Sequence, residues 1–335
     1  MQPRVFATLL IATCTISLMY LTSKGLVIIK NFLHEKTEET TRDITEKLLK
    51  NLSKSLSGKD EVTPEFCRPG RGSDCVPPFA YFQTKYRTAP KYNVTACVIE
   101  KSMSTVLAGV MCYLYDPNGF KNANRSIGND VWHHRFCKDR NELSHLKEVL
   151  ALRANMRLFT VVRDPIDRFL SGFTDKCILE SAKGNGLKCY NCGSNVTCFV
   201  EKQYERMMNY PMNKGAGLTF EDVHFSPQTW YCNFRQKFKE FRIIKYGDGG
   251  DELVRDILTF LRRAGVQREH LSVIRSDMTN SRTPHVTKSS EDRMLLEKQI
   301  RSDPYVMRLL VKMFYYDFVL FGFELPAIPV TEGTR

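Results

Sequence analysis

The sequence lacks the Gly-x4-Gly-Lys-Ser/Thr loop on which P-loop nucleotide kinases seat their phosphates, which excludes that class. It has no internal repeat and no DNA- or RNA-binding motif, so its net charge of +12 is not accounted for by nucleic acid. Charged side chains are missing from Val5 to Leu21. Aromatic residues are scarce between positions 31 and 78, which argues against a packed core there.

The chain has 335 residues, 42% of them hydrophobic, enough for a large core. A basic surface, with 26% charged residues, suits anionic lipid, an anionic small molecule or an anionic polysaccharide. The uncharged run is preceded by Arg4 and followed by Lys24 and Lys30, and Leu26–Ile29 extends it. This predicts a signal-anchor helix over 5–29 behind a cytosolic tail at 1–4. A cleaved signal peptide is the competing reading, and Ser23 and Gly25 offer small residues for it. Either route delivers the remaining chain to the secretory lumen; the anchor makes it a type II membrane protein.

Cysteine usage agrees. Of eleven cysteines only Cys14 lies in the apolar run, leaving ten for five disulfides in an oxidising lumen. Cys177, Cys189, Cys192 and Cys198 cluster, and Cys189-x-x-Cys192 also has the spacing of zinc ligands; in a lumenal segment, disulfides are expected. Sequons at Asn51, Asn93, Asn124 and Asn195 fit the same compartment.

Residues 30–78 read as a stem. Ile44, Leu48, Leu52 and Leu56 fall at helical steps, giving either a self-associating helix that would make a homodimer or a solvated spacer. A Pro- and Gly-rich loop over 66–78 is expected to close through Cys67 and Cys75. The globular domain is expected over 79–326, with a tail at 327–335. Strands are predicted at 94–99, 158–163, 241–246 and 271–275. Helices are predicted at 104–115, 141–154, 165–181, 199–209, 251–264, 290–301 and 304–317. Apolar strands alternating with helices predict an α/β fold, a central parallel sheet flanked by helices.

Two segments carry chemistry. In IEKSMSTVLAGV (99–110) a strand leads through a polar turn into a helix. A helix N-terminus offers free N–H groups, Lys101 adds a cation, and Ser102, Ser104 and Thr105 add hydroxyls, so the turn suits an anion. Ser104 as a plain N-cap and Lys101 as a surface lysine is the competing reading. In LFTVVRDPIDRFLSGF (158–173), Arg163 ends a strand, Asp164 and Pro165 open a helix, and Ser171 lies two turns into it. Arg163 and Ser171 suit a phosphate, while a structural ion pair of Arg163 with Asp164 or Asp167 is the alternative.

Taken together, the two segments resemble the cofactor-binding pair of sulfotransferases. Glu100-Lys101-Ser102-Met103-Ser104-Thr105 parallels that family's Pro-Lys-Ser-Gly-Thr-Thr loop, with Glu100 for Pro and Met103 for Gly. The string from Arg163 to Phe173 resembles the membrane-bound carbohydrate sulfotransferases. DVHFSPQTWYC (222–232) and MFYYDFVLFGF (313–323) are similar to segments of the chondroitin 4-sulfotransferase and HNK-1 sulfotransferase group, and the Cys-rich insertion at 177–198 resembles a nematode-type elaboration of it.

The resemblance implies a P-loop-like sulfotransferase fold and a Golgi enzyme. It implies sulfuryl transfer from 3′-phosphoadenosine 5′-phosphosulfate (PAPS) to an anionic glycan of chondroitin type, without a metal. Lys101, Ser102, Met103, Ser104 and Thr105 would hold the 5′-phosphosulfate, and Arg163 and Ser171 the 3′-phosphate. Lys101 would also stabilise the leaving group. A general base is required, and His134 is chosen, with His133, His145, His224 and Glu100 as rivals. Trp132 and Trp230 would either stack on sugar rings or pack in the core. A disulfide-rich glycan-binding protein that keeps the fold without catalysis is the remaining alternative.

Overall fold

A computed structural model describes residues 64–67, 73–128, 130, 134–153, 155–180, 188–210, 217–247, 250–280 and 290–329. The predicted anchor and stem helix, as well as Trp132 and His133, lie outside the described residues. No helix among those described is long and apolar enough to cross a membrane.

The centre is a five-stranded sheet in the order β3-β1-β2-β4-β5. Its strands are β1 (Tyr86–Ala89), β2 (Val94–Cys97), β3 (Glu142–Leu143), β4 (Arg157–Arg163) and β5 (Phe241–Tyr246). β2, β4 and β5 run parallel, whereas β1 is antiparallel to both β2 and β3. The sheet is therefore mixed rather than parallel throughout. The connection between β1 and β2 is too short for a crossover, because a turn at Pro90–Tyr92 followed by Asn93 in the left-handed region reverses the chain directly. That hairpin had no clear signal in the sequence.

The predicted strand at 271–275 is helical, within Arg268–Asn280. Leu271 and Ile274 recur at helical spacing and both pack against the core, so periodicity prevailed over β-branched composition. The region 141–154 divides into β3 and a helix over Leu146–Leu152.

Helix α1 (Ser104–Tyr115) follows β2 and buries Val106, Leu107, Val110 and Met111 against Ala96, Val98, Phe159, Val161 and Ile244 of the sheet. At Gly109 a Cβ would lie 2.6 Å from the Ile127 carbonyl, so glycine permits the close approach of that loop. On the same core lies α8 (Asp251–Arg263), which presents Leu253, Val254, Ile257, Leu258 and Leu261.

A separate aromatic cluster joins α4 (Pro165–Phe173), α5 (Val196–Asn209), α6 (Phe220–Phe225) and α11 (Pro304–Phe321). Phe169 touches Phe173, Phe199, Phe225 and Phe314 there. Trp230 stacks on Tyr210, and its ring N–H donates to the Pro77 carbonyl, so it belongs to the packed interior and not to a sugar platform. Residues ahead of Phe79 are also bound to this unit: the Val76 N–H donates to the Lys312 carbonyl.

Five disulfides form, Cys67–Cys75, Cys97–Cys232, Cys112–Cys137, Cys177–Cys189 and Cys192–Cys198. Cys189 and Cys192 thus belong to different bridges and do not share a zinc site.

Candidate functional site

In β2 and β4, Cys97 pairs with Thr160, so three further residues on each chain bring Glu100 and Arg163 to the same C-terminal edge of the sheet. Ligands of open α/β sheets bind at such edges. Arg163 Nη1 donates to the Lys101 carbonyl at 3.2 Å, which joins the two segments directly.

The turn into α1 is built on unusual backbone. Lys101 has φ of 65° and Met103, the N-cap residue, φ of 59°. A left-handed non-glycine residue costs on the order of 1 kcal/mol, and such costs concentrate at functional sites. Met103 thus adopts the conformation that glycine would take, and its side chain does not prevent the turn. The first helical hydrogen bond is donated by Leu107 to the Met103 carbonyl, leaving the preceding N–H groups of α1 without helical acceptors. Ser104 and Thr105 are half-buried in this first turn.

Ser102 has a different orientation. It is fully buried, and its hydroxyl donates to Gln228 Oε1 at 2.9 Å. The same oxygen accepts the Arg163 N–H at 2.9 Å, and Gln228 Nε2 donates to the Arg163 carbonyl at 2.8 Å. Gln228 is held in turn by Asp317 of α11, whose carboxylate accepts the N–H groups of Gln228 and Thr229 at 2.7 and 2.9 Å. Burial pushes the Asp317 carboxyl above its ordinary range, and these two N–H groups draw it back. Arg168, also buried, donates to the carbonyls of Glu100 and Ser226 at 2.9 and 2.8 Å. The two motifs at 222–232 and 313–323 therefore form the scaffold that fixes the two turns expected to bind an anion. Neither Gln228 nor Arg168 had a role assigned from the sequence; their partners are far along the chain and leave no local pattern.

Lys101 Nζ lies 2.7 Å from Asp175 Oδ2. Burial pulls the amine below the ordinary lysine value, Asp175 opposes this, and Lys176 and Arg163 add to the depression. Asp175 sits on a π-helical turn, Thr174–Leu179, that continues α4. Such turns frequently occur at functional sites. Lys176 lies 3.1 Å from the same Asp175 oxygen and also pairs with Glu180. Arg163 pairs with Asp167 through Nε, as the structural alternative foresaw, while its guanidinium stacks over Tyr246 at 4.8 Å. Ser171 lies one turn beyond Asp167 on α4 and is buried.

The candidate bases occupy distinct surroundings. His134 is exposed in a turn beside Arg135, which is engaged with Glu142. His145 is exposed at the start of Leu146–Leu152. Glu100 is buried, bonded to Lys85 through Oε1, while Oε2 has no hydrogen-bond partner among the described residues. His224 is pulled down to about 4 by burial, opposed by its bond to the Phe220 carbonyl, with Lys176, Lys101 and Lys85 adding to the depression. Its Nδ1 lies 2.8 Å from that carbonyl, which only accepts, so Nδ1 carries the proton and Nε2 keeps its lone pair. No group of three or more metal-ligating side chains occurs among the described residues.

Residues 84–324 match the sulfotransferase family. The chain is 38% identical over 262 residues to carbohydrate sulfotransferase chst-1 of Caenorhabditis elegans, covering 76% of this chain and 79% of that protein. It is 33% identical over 242 residues to the putative sulfotransferase vep-2 of the same organism, covering 70% and 73%. No solved structure matches. The chain belongs to the sulfotransferase family.

Proposed function

We propose that the protein is a carbohydrate O-sulfotransferase that takes its sulfuryl group from PAPS and delivers it to a hydroxyl of an anionic glycan of chondroitin type. The observation that carries this reading is the direct joining of the two anion-binding turns at one sheet edge, through Arg163 Nη1 on the Lys101 carbonyl and Gln228 on both segments. The residues suit a doubly anionic nucleotide. Lys101, Lys176 and Arg163 supply positive charge, α1 supplies N–H groups, and Ser104 and Thr105 supply hydroxyls.

PAPS supplies the activated sulfuryl group when bound. Lys101 and the α1 N-terminus would offset charge developing on the leaving phosphate, without a metal. Arg163 and Ser171 would hold the 3′-phosphate, and Ser102 would position the turn from beneath through Gln228. His224 Nε2 is the favoured acceptor for the glycan hydroxyl proton, because it is an imidazole nitrogen that keeps its lone pair in the field of Lys101, whereas Glu100 is already bonded to Lys85. The low proton affinity of His224 reflects burial first and the neighbouring lysines second, and a bound anionic cofactor would offset the lysines' share and raise it. His134 remains the comparison residue. The relative's name, the predicted anchor over 5–29, the sequons and the disulfides support a type II protein of the Golgi membrane with its catalytic domain in the lumen.

The test is transfer of labelled sulfate from PAPS to chondroitin, dermatan and heparan by the secreted protein, with H224Q and H134Q alongside. Label on chondroitin, lost in H224Q and kept in H134Q, is expected. Nucleotide binding without transfer to any glycan would instead favour a non-catalytic binding protein.

A further inference from the structure

The edge of the sheet opposite Lys101 and Arg163 carries a cavity of its own. β4 spans seven residues, Arg157–Arg163, so its two ends lie about 20 Å apart at the usual strand rise. α8 runs back from the C-terminal edge, and at its own end the Arg263 carbonyl accepts Arg157 Nη1 at the start of β4. The chain then turns into α9 (Arg268–Asn280). Gly265, at φ of 87°, donates its N–H to the Arg262 carbonyl at 3.0 Å, and the Val266 N–H reaches the Leu261 carbonyl at 3.1 Å. This paired closure through a left-handed glycine leaves no slack between the two helices.

Between α8 and α9 lies a cavity of about 540 Å³. Buried Leu258 and Val266 line it together with Ser272 and three arginines, Arg262, Arg268 and Arg275. The arginines are exposed, and none has an ion pair or a side-chain hydrogen bond with another described residue. Among the described residues no carboxylate lines the cavity. The acids of the two helices are placed elsewhere. Glu252 pairs with Arg255 at 3.1 Å, and Asp277 accepts the Ile127 N–H at 2.9 Å. Asp251, Asp256 and Glu269 do not line it. Arg268 opens α9, where the positive end of the helix dipole already disfavours a cation. Lys91 and Lys121 extend the positive field on this side: burial lowers the proton affinity of His270, and both lysines lower it further, against Glu269. An anion seated in the cavity would offset this repulsion, and each guanidinium offers a planar fork to a carboxylate or a sulfate.

The lining selects an acidic sugar chain among anions. Its apolar residues form the floor and do not protrude, so they cannot enter a bilayer as an interfacial helix does. No aromatic ring among the described residues lines it for a nucleic-acid base to stack on. A sugar ring presents C–H groups to such a floor, hydroxyls to Ser272 and its acid group to the arginines.

We infer that this cavity is a second binding site for the acidic glycan, at the far edge of the sheet from the transfer site and occupied by sugars other than the one being modified. The inference rests on the glycan reading above for the identity of the chain. Its consequence is a preference for length. A long chain engaged at one site meets the other intramolecularly and gains affinity that a short one cannot.

The experiment titrates labelled long-chain chondroitin into the disulfide-bonded, secreted full chain at physiological salt. The proteins are wild type, R262Q/R268Q/R275Q and K138Q/K147Q/K239Q, the last removing the same charge from exposed lysines outside the cavity. The arginine variant should bind about tenfold more weakly, the scale of three exposed charge contacts, and the lysine variant within about twofold of wild type. In sulfate transfer the arginine variant should raise KM for the long chain by a similar factor. It should leave kcat, and both constants for a chondroitin tetrasaccharide, unchanged, which also shows that it is folded. Equal weakening in the two triple variants, or none in the arginine variant, would overturn the inference. So would an arginine variant that loses binding to phosphatidylserine vesicles and keeps binding to chondroitin, since the site would then belong to a membrane surface. Wild type that binds long chains through these arginines yet transfers sulfate to no glycan would remove the enzymatic reading and leave the cavity site standing.

Discussion

Gln228 and Arg163 exchange two hydrogen bonds, Arg163 N–H to Gln228 Oε1 at 2.9 Å and Gln228 Nε2 to the Arg163 carbonyl at 2.8 Å, as two paired strands would. A side chain thus extends the ladder of β4 past its last residue, and its oxygen also accepts from Ser102. Q228A would orphan three buried groups at once. An unsatisfied buried group costs about 1–3 kcal/mol, so a loss of about 3 kcal/mol in urea denaturation is expected, together with weaker nucleotide binding. Stability within about 0.5 kcal/mol of wild type would contradict the clamp, that being the usual range for inert surface positions.

Asp175 keeps Lys101 cationic in a buried position. Removing that carboxylate in D175N should lower the Lys101 proton affinity. On the proposed role of Lys101, in which the charged amine is the active form, the alkaline limb of the kcat/KM profile should then move to lower pH. An alkaline limb that stays in place, measured across pH 6 to 10 on the same acceptor, would count against Lys101 as the group that controls it.

His224 ties acid stability to the site. Its proton affinity is lowered from an ordinary 6.5 to about 4, so below pH 6.5 the unfolded chain binds the proton more readily than the folded one. Its contribution is fully present above pH 6.5 and is lost as the pH falls toward 4, with a limiting slope of about 1.4 kcal/mol per pH unit. Urea midpoints for wild type and H224Q between pH 4 and 7 should converge on acidification. Parallel curves would show that the imidazole is not held neutral by the fold.

Cys97 ends β2 and bonds to Cys232, four residues beyond Gln228, closing a separation of 135 residues. This bridge carries the scaffold segment onto the strand that leads to Lys101. The double variant C97A/C232A should lose about 2–5 kcal/mol of stability and part of its nucleotide affinity. Loss of Cys192–Cys198, which closes only a short loop in α5 and its approach, should leave nucleotide affinity intact.

Much of the site was legible because its signals are local. Lys101 after one strand and Arg163 at the end of another are read from hydrophobic runs and helix-start residues, and parallel pairing of β2 with β4 brings them together. The groups that complete the site were not legible. Ser102 contacts Gln228 and Lys101 contacts Asp175 across 126 and 74 positions, and no periodicity records such pairings. The β1 strand, YRTA, is too short and too polar to declare itself, which is why a parallel sheet was expected where a mixed one stands. His224 and His134 could not be separated by sequence, because what distinguishes them is burial and the Phe220 carbonyl.

The most direct test is retention of the secreted protein on immobilised adenosine 3′,5′-bisphosphate, with elution by the free nucleotide and K101A and R163A as controls. The account predicts specific retention of wild type and at least about tenfold weaker retention of each variant, the scale of one charged contact. Wild type that passes through unretained, or variants retained as well as wild type, would contradict it.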